Sequence, residues 1–173
     1  MRCFVSGGCK NGKSFYAQRL AKSQQSGPLY YIATMAPVDK EDDERIARHR
    51  GEREGWGFIT VEQPVCIEAV LRKCDSGGAF LLDSLTALLA NEMFPAGRGV
   101  DLHAKARVIS GLSQVIREIE SIVIVSDYIY SDAFVFDELT EQYRKALAEI
   151  DRAAAKLCES VVEISYAGAM VHK

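Results

Sequence analysis

The sequence predicts an α/β fold in which a mostly parallel sheet carries helices on both faces. One observation is that strand-like and helix-like segments alternate along the 173 residues, as they do where parallel strands are joined by helical crossovers. Another is that most of the strand-like segments are unbroken apolar runs. Such runs are typical of strands that are buried on both faces of a parallel sheet.

The elements follow one another without an obvious break. The predicted strands are Arg2–Ser6, Leu29–Ala33, Phe58–Val61, Ala79–Leu82, Ile122–Ser126 and Val161–Ser165. The predicted helices are Lys13–Ser23, Asp42–His49, Cys66–Lys73, Ser84–Glu92, Leu102–Glu120 and Glu138–Cys158. Because no repeat, low-complexity tract or proline- and serine-rich linker divides the chain, we expect residues 1–173 to form a single domain.

The bulk composition is that of a globular protein, with 48% hydrophobic and 26% charged residues. A net charge of −3 argues against a protein that binds nucleic acid mainly through charge. No apolar run approaches the roughly 20 residues that cross a bilayer, and the short first strand does not resemble a signal peptide. We therefore expect a soluble, cytoplasmic protein without a membrane span. The five cysteines form no close pair, so we expect free thiols.

A phosphate-binding loop follows the first predicted strand. Its sequence matches G-x-x-x-x-G-K-[ST] and opens a helix, which is the context that the motif requires and which predicts a fold like that of the P-loop NTPases. Lys13 is expected to contact the β and γ phosphates of a nucleoside triphosphate as a catalytic residue, and the Ser14 hydroxyl to bind Mg²⁺. The residues predicted to cradle the phosphates are Gly7, Gly8, Cys9, Lys10, Asn11, Gly12, Lys13 and Ser14.

A carboxylate at the end of another apolar strand is expected to complete the magnesium site. Asp83, after Phe80-Leu81-Leu82, is in that position. The alternative is that Asp83 caps the helix that begins at Ser84, since aspartate is a favoured N-cap residue.

One histidine, His49, lies on the strongly charged segment that begins at Asp42. By itself, this segment indicates no more than a solvated helix face. Several blocks in order along the chain, however, resemble the bifunctional adenosylcobinamide kinase / adenosylcobinamide-phosphate guanylyltransferase family of cobalamin biosynthesis. These blocks are Gly7–Ser14, Tyr31–Thr34, Arg45-Ile46-x-x-His49-Arg50-x-x-Arg53, Trp56, Thr60–Pro64, Leu82–Thr86 and Asn91.

The resemblance implies two activities in one chain. The family phosphorylates the aminopropanol hydroxyl of adenosylcobinamide with GTP or ATP, and it then transfers GMP from GTP to that phosphate. It implies that His49 is a nucleophile that carries GMP, that Mg²⁺ is bound, that a corrinoid is the acceptor and that the protein is a homo-oligomer, typically a trimer. The implied nucleotide contacts beyond the phosphate loop are Thr34, Arg50, Gly51, Glu52, Arg53, Glu62 and Asp83.

The match to the family weakens after the late apolar strand. Family members usually carry Asn-Glu-Val-Gly there, whereas this chain has Asp127-Tyr128-Ile129-Tyr130. A tyrosine cannot freely reproduce a glycine backbone or its close approach to a ligand, so we expect the corrinoid side of the site to differ. Two alternatives remain open from the sequence: a P-loop kinase of another small hydroxylated metabolite, and a nucleotide-binding homologue without catalysis.

Overall fold

The predicted apolar runs form the sheet of the computed structural model, which describes residues 1–37, 47, 50–51, 53–166 and 168–173. Within these residues, seven strands are joined in the order β3-β2-β4-β5-β1-β6-β7. The first six run parallel to their neighbours, and β7 pairs antiparallel with β6. The strands are β1 (Arg2–Gly7), β2 (Leu29–Ala33), β3 (Ile59–Glu62), β4 (Ala79–Asp83), β5 (Ser121–Asp127), β6 (Ser160–Ser165) and β7 (Gly168–Val171).

The sequence did not predict β7. Its residues are all exposed, so it lacks the apolar run by which the buried strands were recognised. The predicted helix Asp42–His49 lies outside the described residues except for Ala47, and the predicted helix Cys66–Lys73 is a 3₁₀ helix, Ile67–Arg72. The α-helices of the described part are α1 (Lys13–Ser23), α2 (Leu85–Met93), α3 (Ala104–Glu118) and α4 (Glu138–Leu157).

Side chains that alternate along each strand pack into two hydrophobic cores, one on each face of the sheet. On β1, Cys3 and Val5 face α1, where they pack with Ala17. Phe4 faces the opposite core, which α2, α3, α4 and the 3₁₀ helix cover. Both faces of the sheet are therefore covered by helices, as the unbroken apolar runs predicted.

The parallel register brings the carboxyl ends of six strands, β1 to β6, to one edge of the sheet. Gly7 of β1 lies opposite Asp127 of β5, and Ala33 of β2 lies between Glu62 and Asp83. Crevices at this edge are where open α/β sheets bind ligands. Elsewhere, the five cysteines are free thiols, as expected, and none of the helices in the described ranges is long and apolar enough to cross a bilayer.

Candidate nucleotide site

The loop between β1 and α1 is held in shape by glycines and by the side chain of Asn11. Gly12 has a φ of +90°, a conformation that glycine adopts without strain. A Cβ on Gly7 would lie 2.7 Å from the Ile164 carbonyl, so this position has no room for a side chain. Asn11 accepts from the Lys13 amide at 3.1 Å through Oδ1, and its Nδ2 donates to the Ile164 carbonyl. The loop is thereby fixed against β6 before any ligand binds.

Lys13 is buried at the start of α1 and forms an ion pair with Asp127. Its Nζ lies 2.5 Å from Asp127 Oδ1 and donates to the Gly8 carbonyl at 3.1 Å. Thr86 fixes the other side of the carboxylate: its hydroxyl donates to Oδ2 at 3.3 Å and accepts from the Asp127 amide at 3.0 Å. The sequence analysis did not select Asp127 as a site residue. The signal was present, since Asp127, like Asp83, ends an apolar strand.

Asp83 ends β4 with its side chain on the cavity side of the sheet edge. The Tyr31 hydroxyl donates to Asp83 Oδ2 at 2.8 Å. The cap of α2 is Ser84, whose hydroxyl accepts from the Ala87 amide at 3.3 Å. Because the cap is supplied by the next residue, the alternative role of Asp83 as a helix cap is not the one that the structure shows.

The residues predicted to hold Mg²⁺ have suitable chemistry. Mg²⁺ prefers oxygen ligands and keeps several waters or phosphate oxygens. Ser14 offers a half-buried hydroxyl in the first turn of α1, and Asp83 offers Oδ1, which accepts no hydrogen bond from the described residues. The described part of the chain holds no cluster of three or more His, Cys, Asp or Glu side chains that could bind a metal unaided. A magnesium ion here would take its other ligands from the triphosphate and water.

Two arginines bring positive charge to the same edge. Arg53 is buried, and its guanidinium carbon lies 3.5 Å from the centre of the Tyr31 ring. Arg50 is exposed and forms an ion pair with Glu62 at 2.6 Å. An exposed pair of this kind contributes little to stability, so Arg50 can exchange Glu62 for a phosphate at low cost.

The other residues predicted to contact the nucleotide are Thr34, Gly51 and Glu52, together with His49, the predicted nucleophile. Thr34 is completely buried, and its hydroxyl donates to the Ser84 carbonyl at 2.8 Å and accepts from the Ser84 amide at 2.7 Å. It supports the strand ends from behind and does not line the cavity described next. Gly51 is exposed beside a shallower depression. His49 and Glu52 lie outside the described residues.

A cavity of about 710 Å³ opens at the carboxyl ends of β2, β3, β4 and β5, within the size range of small-molecule sites. Asp127 and Asp83 lie on its wall with Arg50, Arg53 and Glu62. The rest of the wall is more apolar, and it includes Met35, Pro37, Ala87, Ala90 and Tyr143. One cavity therefore joins two arginines that suit phosphates and three carboxylates to a surface that suits a less polar molecule.

The two tyrosines of the divergent segment do not line this cavity. The Tyr130 hydroxyl donates to Asp151 Oδ2 at 2.9 Å, beneath α4. Tyr128 lies beside the phosphate loop, where a Cβ on Gly8 would be 4.0 Å from its ring, and burial raises the pKa of its phenol. That these residues alter the acceptor site stays a prediction.

Solved structures that share this fold include a KaiC-like protein from Pyrococcus horikoshii and the flagellar accessory protein FlaH from Methanocaldococcus jannaschii. The first has a TM-score of 0.54 and 10% identity, and the second has a TM-score of 0.53 and 11% identity. Both alignments cover 99% of this chain and 77% of the other. At this identity the likeness concerns the fold, which is that of P-loop NTPases, as the sequence predicted.

Sequence comparison gives a closer relationship. The chain is 32% identical over 164 residues to the bifunctional adenosylcobalamin biosynthesis protein CobP of Pseudomonas aeruginosa, an alignment that covers 93% of this chain and 91% of the relative. Residues 3–172 match the family described as cobinamide kinase / cobinamide phosphate guanyltransferase. The chain therefore belongs to the cobinamide kinase / cobinamide phosphate guanyltransferase family.

Proposed function

We propose that the protein phosphorylates the aminopropanol hydroxyl of adenosylcobinamide and then transfers GMP from GTP to adenosylcobinamide phosphate. The observation that carries this proposal is that a chain matched to the family over residues 3–172 places two strand-end carboxylates, Asp83 and Asp127, on the wall of one cavity and pairs Asp127 with the phosphate loop lysine behind it. The family match does not favour a kinase of another metabolite or a homologue without catalysis.

In the kinase step the chain acts mainly by positioning and by neutralising charge. Lys13 and the loop amides bind the β and γ phosphates, and Arg53, held on the Tyr31 ring, adds positive charge at the cavity wall. Mg²⁺ held by Ser14 and Asp83 would neutralise charge on the phosphate oxygens. GTP or ATP serves as the phosphoryl donor.

In the guanylyl transfer, His49 attacks the α-phosphate of GTP, so that an Nimidazole–P bond forms as pyrophosphate departs. Neutral imidazole is nucleophilic near pH 7, and a covalent intermediate divides one difficult transfer into two easier steps. Support comes from the chain neighbours of His49, since Ala47 and Arg50 both line the cavity. Arg50 and Arg53 are placed to pair with the phosphates, and Glu62, released from Arg50, becomes available to the nucleotide.

The acceptor is proposed to enter from the apolar side of the cavity. Tyr143 on that wall contacts the partly exposed Phe94, with ring centres 5.8 Å apart. The loop before α4 exposes Phe134, Val135 and Phe136. The exposed Phe94, in contact with a residue of the cavity wall, offers an apolar surface that suits the faces of a large ring such as a corrin. By family resemblance, we further propose a homo-oligomer in the cytoplasm.

The two activities can be tested in sequence. Protein incubated with labelled GTP and Mg²⁺ is expected to retain labelled GMP, and adenosylcobinamide phosphate is expected to discharge it as adenosylcobinamide-GDP. Adenosylcobinamide with ATP or GTP is expected to give the phosphate. Efficient labelling with poor discharge would instead mean that the acceptor differs, and a protein with neither label nor kinase product would refute the proposed function.

A further inference from the structure

The Asp127 carboxylate forms an ion pair with Lys13, the cation that a bound triphosphate would need. Only 9% of the Lys13 side chain and 15% of the Asp127 side chain are exposed, and their charged atoms are 2.5 Å apart. A phosphate loop lysine contacts the β and γ phosphates of a bound triphosphate. A carboxylate within hydrogen-bond distance of that lysine therefore lies next to the phosphoryl group that is transferred.

The carboxylate also faces the open side of the site. Asp127 and Thr86 line the 710 Å³ cavity, whereas Lys13 does not. Asp127 consequently stands between the buried lysine and the volume through which an acceptor reaches the phosphate. In phosphoryl transfer the attacking oxygen lies roughly in line with the leaving oxygen, so an acceptor hydroxyl that approaches from the cavity passes the Asp127 carboxylate.

Thr86 holds the Asp127 carboxylate in position, and Tyr143 in turn holds Thr86. The hydroxyl of Thr86 bonds to both the amide and Oδ2 of Asp127, and the Tyr143 hydroxyl donates to the Thr86 carbonyl at 2.7 Å. When Lys13 turns to the triphosphate, Thr86 still holds the carboxylate at the cavity wall.

On the basis of the proposed kinase activity, we propose that Asp127 is the catalytic base that accepts the proton of the acceptor hydroxyl. In this step the acceptor oxygen forms a bond to the γ-phosphorus while the bond between that phosphorus and the bridging oxygen breaks. The hydroxyl proton moves to Asp127, and the nucleoside diphosphate leaves with the bridging oxygen and its electron pair. Asp127 then releases the proton to solvent.

The test compares Asp127→Asn with Asp127→Glu and the unchanged protein. The asparagine keeps the shape and the Thr86 contacts but cannot accept the proton, so kcat for phosphorylation of adenosylcobinamide is expected to fall at least about 10²-fold. Binding of a fluorescent GTP analogue is expected to change less than about threefold, and labelling by GMP to persist, because neither involves the acceptor hydroxyl. Asp127→Glu is expected to recover part of kcat.

Triphosphate hydrolysis tests the role of Asp127 without any corrinoid acceptor. Hydrolysis of the triphosphate without corrinoid uses water as the acceptor, and Asp127→Asn is expected to slow it at least about tenfold at unchanged nucleotide binding. Should the unchanged protein fail to phosphorylate adenosylcobinamide, the proposed function fails, and hydrolysis still decides the role of Asp127. Parallel loss of nucleotide binding, labelling and kinase activity would show that Asp127 only positions Lys13. Undiminished kinase activity and hydrolysis in Asp127→Asn would also overturn the proposal.

Discussion

Replacing Asp151 by asparagine is expected to remove a pH-dependent penalty on stability. The Asp151 carboxyl is buried on α4, where the Tyr130 hydroxyl donates to Oδ2. Burial raises its pKa from 3.8 to about 7, the charge of Asp127 adds to the rise, and the hydroxyls of Ser126 and Tyr130 lower it. The Ser126 hydroxyl lies close enough to lower the pKa of Asp151, but neither it nor Asp151 Oδ1 makes a well-formed hydrogen bond. Tyr143 and Arg152 are further ionisable groups in this neighbourhood, since the charge of Asp151 raises the pKa of Tyr143 and Arg152 acts on Tyr130.

The sign follows from proton binding. Between about pH 4 and pH 7 the folded protein keeps a proton on Asp151 that the unfolded chain has lost, so this group makes the free energy of unfolding fall as pH rises. A difference of one in pKa corresponds to about 1.4 kcal/mol, which gives a penalty of about 4 kcal/mol above pH 7. Asparagine resembles the protonated carboxyl and cannot ionise. The stability advantage of Asp151→Asn is therefore expected to grow by about 3 kcal/mol between pH 5 and pH 8.

Urea unfolding, followed by circular dichroism at pH 5 and pH 8, gives the free energy of unfolding of both proteins at each pH. Groups that titrate alike in both proteins drop out of the comparison between them. Glu120→Gln, at an exposed carboxyl, is the matched control for loss of a charge. Parallel stability profiles for the unchanged protein and Asp151→Asn would refute the reasoning, since they would mean that the folded and unfolded states bind the same number of protons at this position.

Other substitutions test other parts of the account. Lys13→Ala is expected to weaken triphosphate binding and to slow both half-reactions by at least about 10²-fold, because one cation serves γ-transfer and pyrophosphate departure; near-normal kinase turnover would exclude this role. Tyr31→Phe removes the hydroxyl that orients Asp83, so a Mg²⁺ titration of kinase activity is expected to shift about 3–10-fold to higher concentration, and an unshifted curve would contradict it. Arg144→Met removes a buried guanidinium that donates to the Ile129 and Phe134 carbonyls and pairs with Asp132, and it is expected to lower the free energy of unfolding by about 2 kcal/mol; unchanged urea unfolding would show that these contacts are not stabilising.

Features set by local sequence were predicted well. The apolar runs predicted strands β1, β2, β4, β5 and β6, and the glycine spacing predicted the loop that ends at Ser14, because burial in the sheet and positive φ each restrict residue choice locally. Strand β3 was also predicted from an apolar run, although it is a mostly exposed edge strand. β7 was missed because an exposed edge strand needs no apolar run. The segment Cys66–Lys73 was predicted to be helical and contains a 3₁₀ helix, Ile67–Arg72.

Features set by contacts between distant residues were harder to predict. Asp127 meets Lys13 only because β5 lies beside β1 in the sheet, and neighbouring strands are not apparent from chain order. That Thr34 contacts the nucleotide stays a prediction, and the bonds of its hydroxyl to the backbone of Ser84 were not predicted. These bonds arise because β2 pairs with β4 in the sheet. Nothing in the sequence around Thr34 indicates that pairing.

The most direct test of the central claim is intact mass spectrometry after incubation with GTP and Mg²⁺ in the absence of corrinoid. The account predicts that the unchanged protein gains one GMP, that the bond is acid-labile and alkali-stable as expected of a phosphoramidate, and that His49→Ala gains none. The same adduct on both proteins, or on neither, would contradict it.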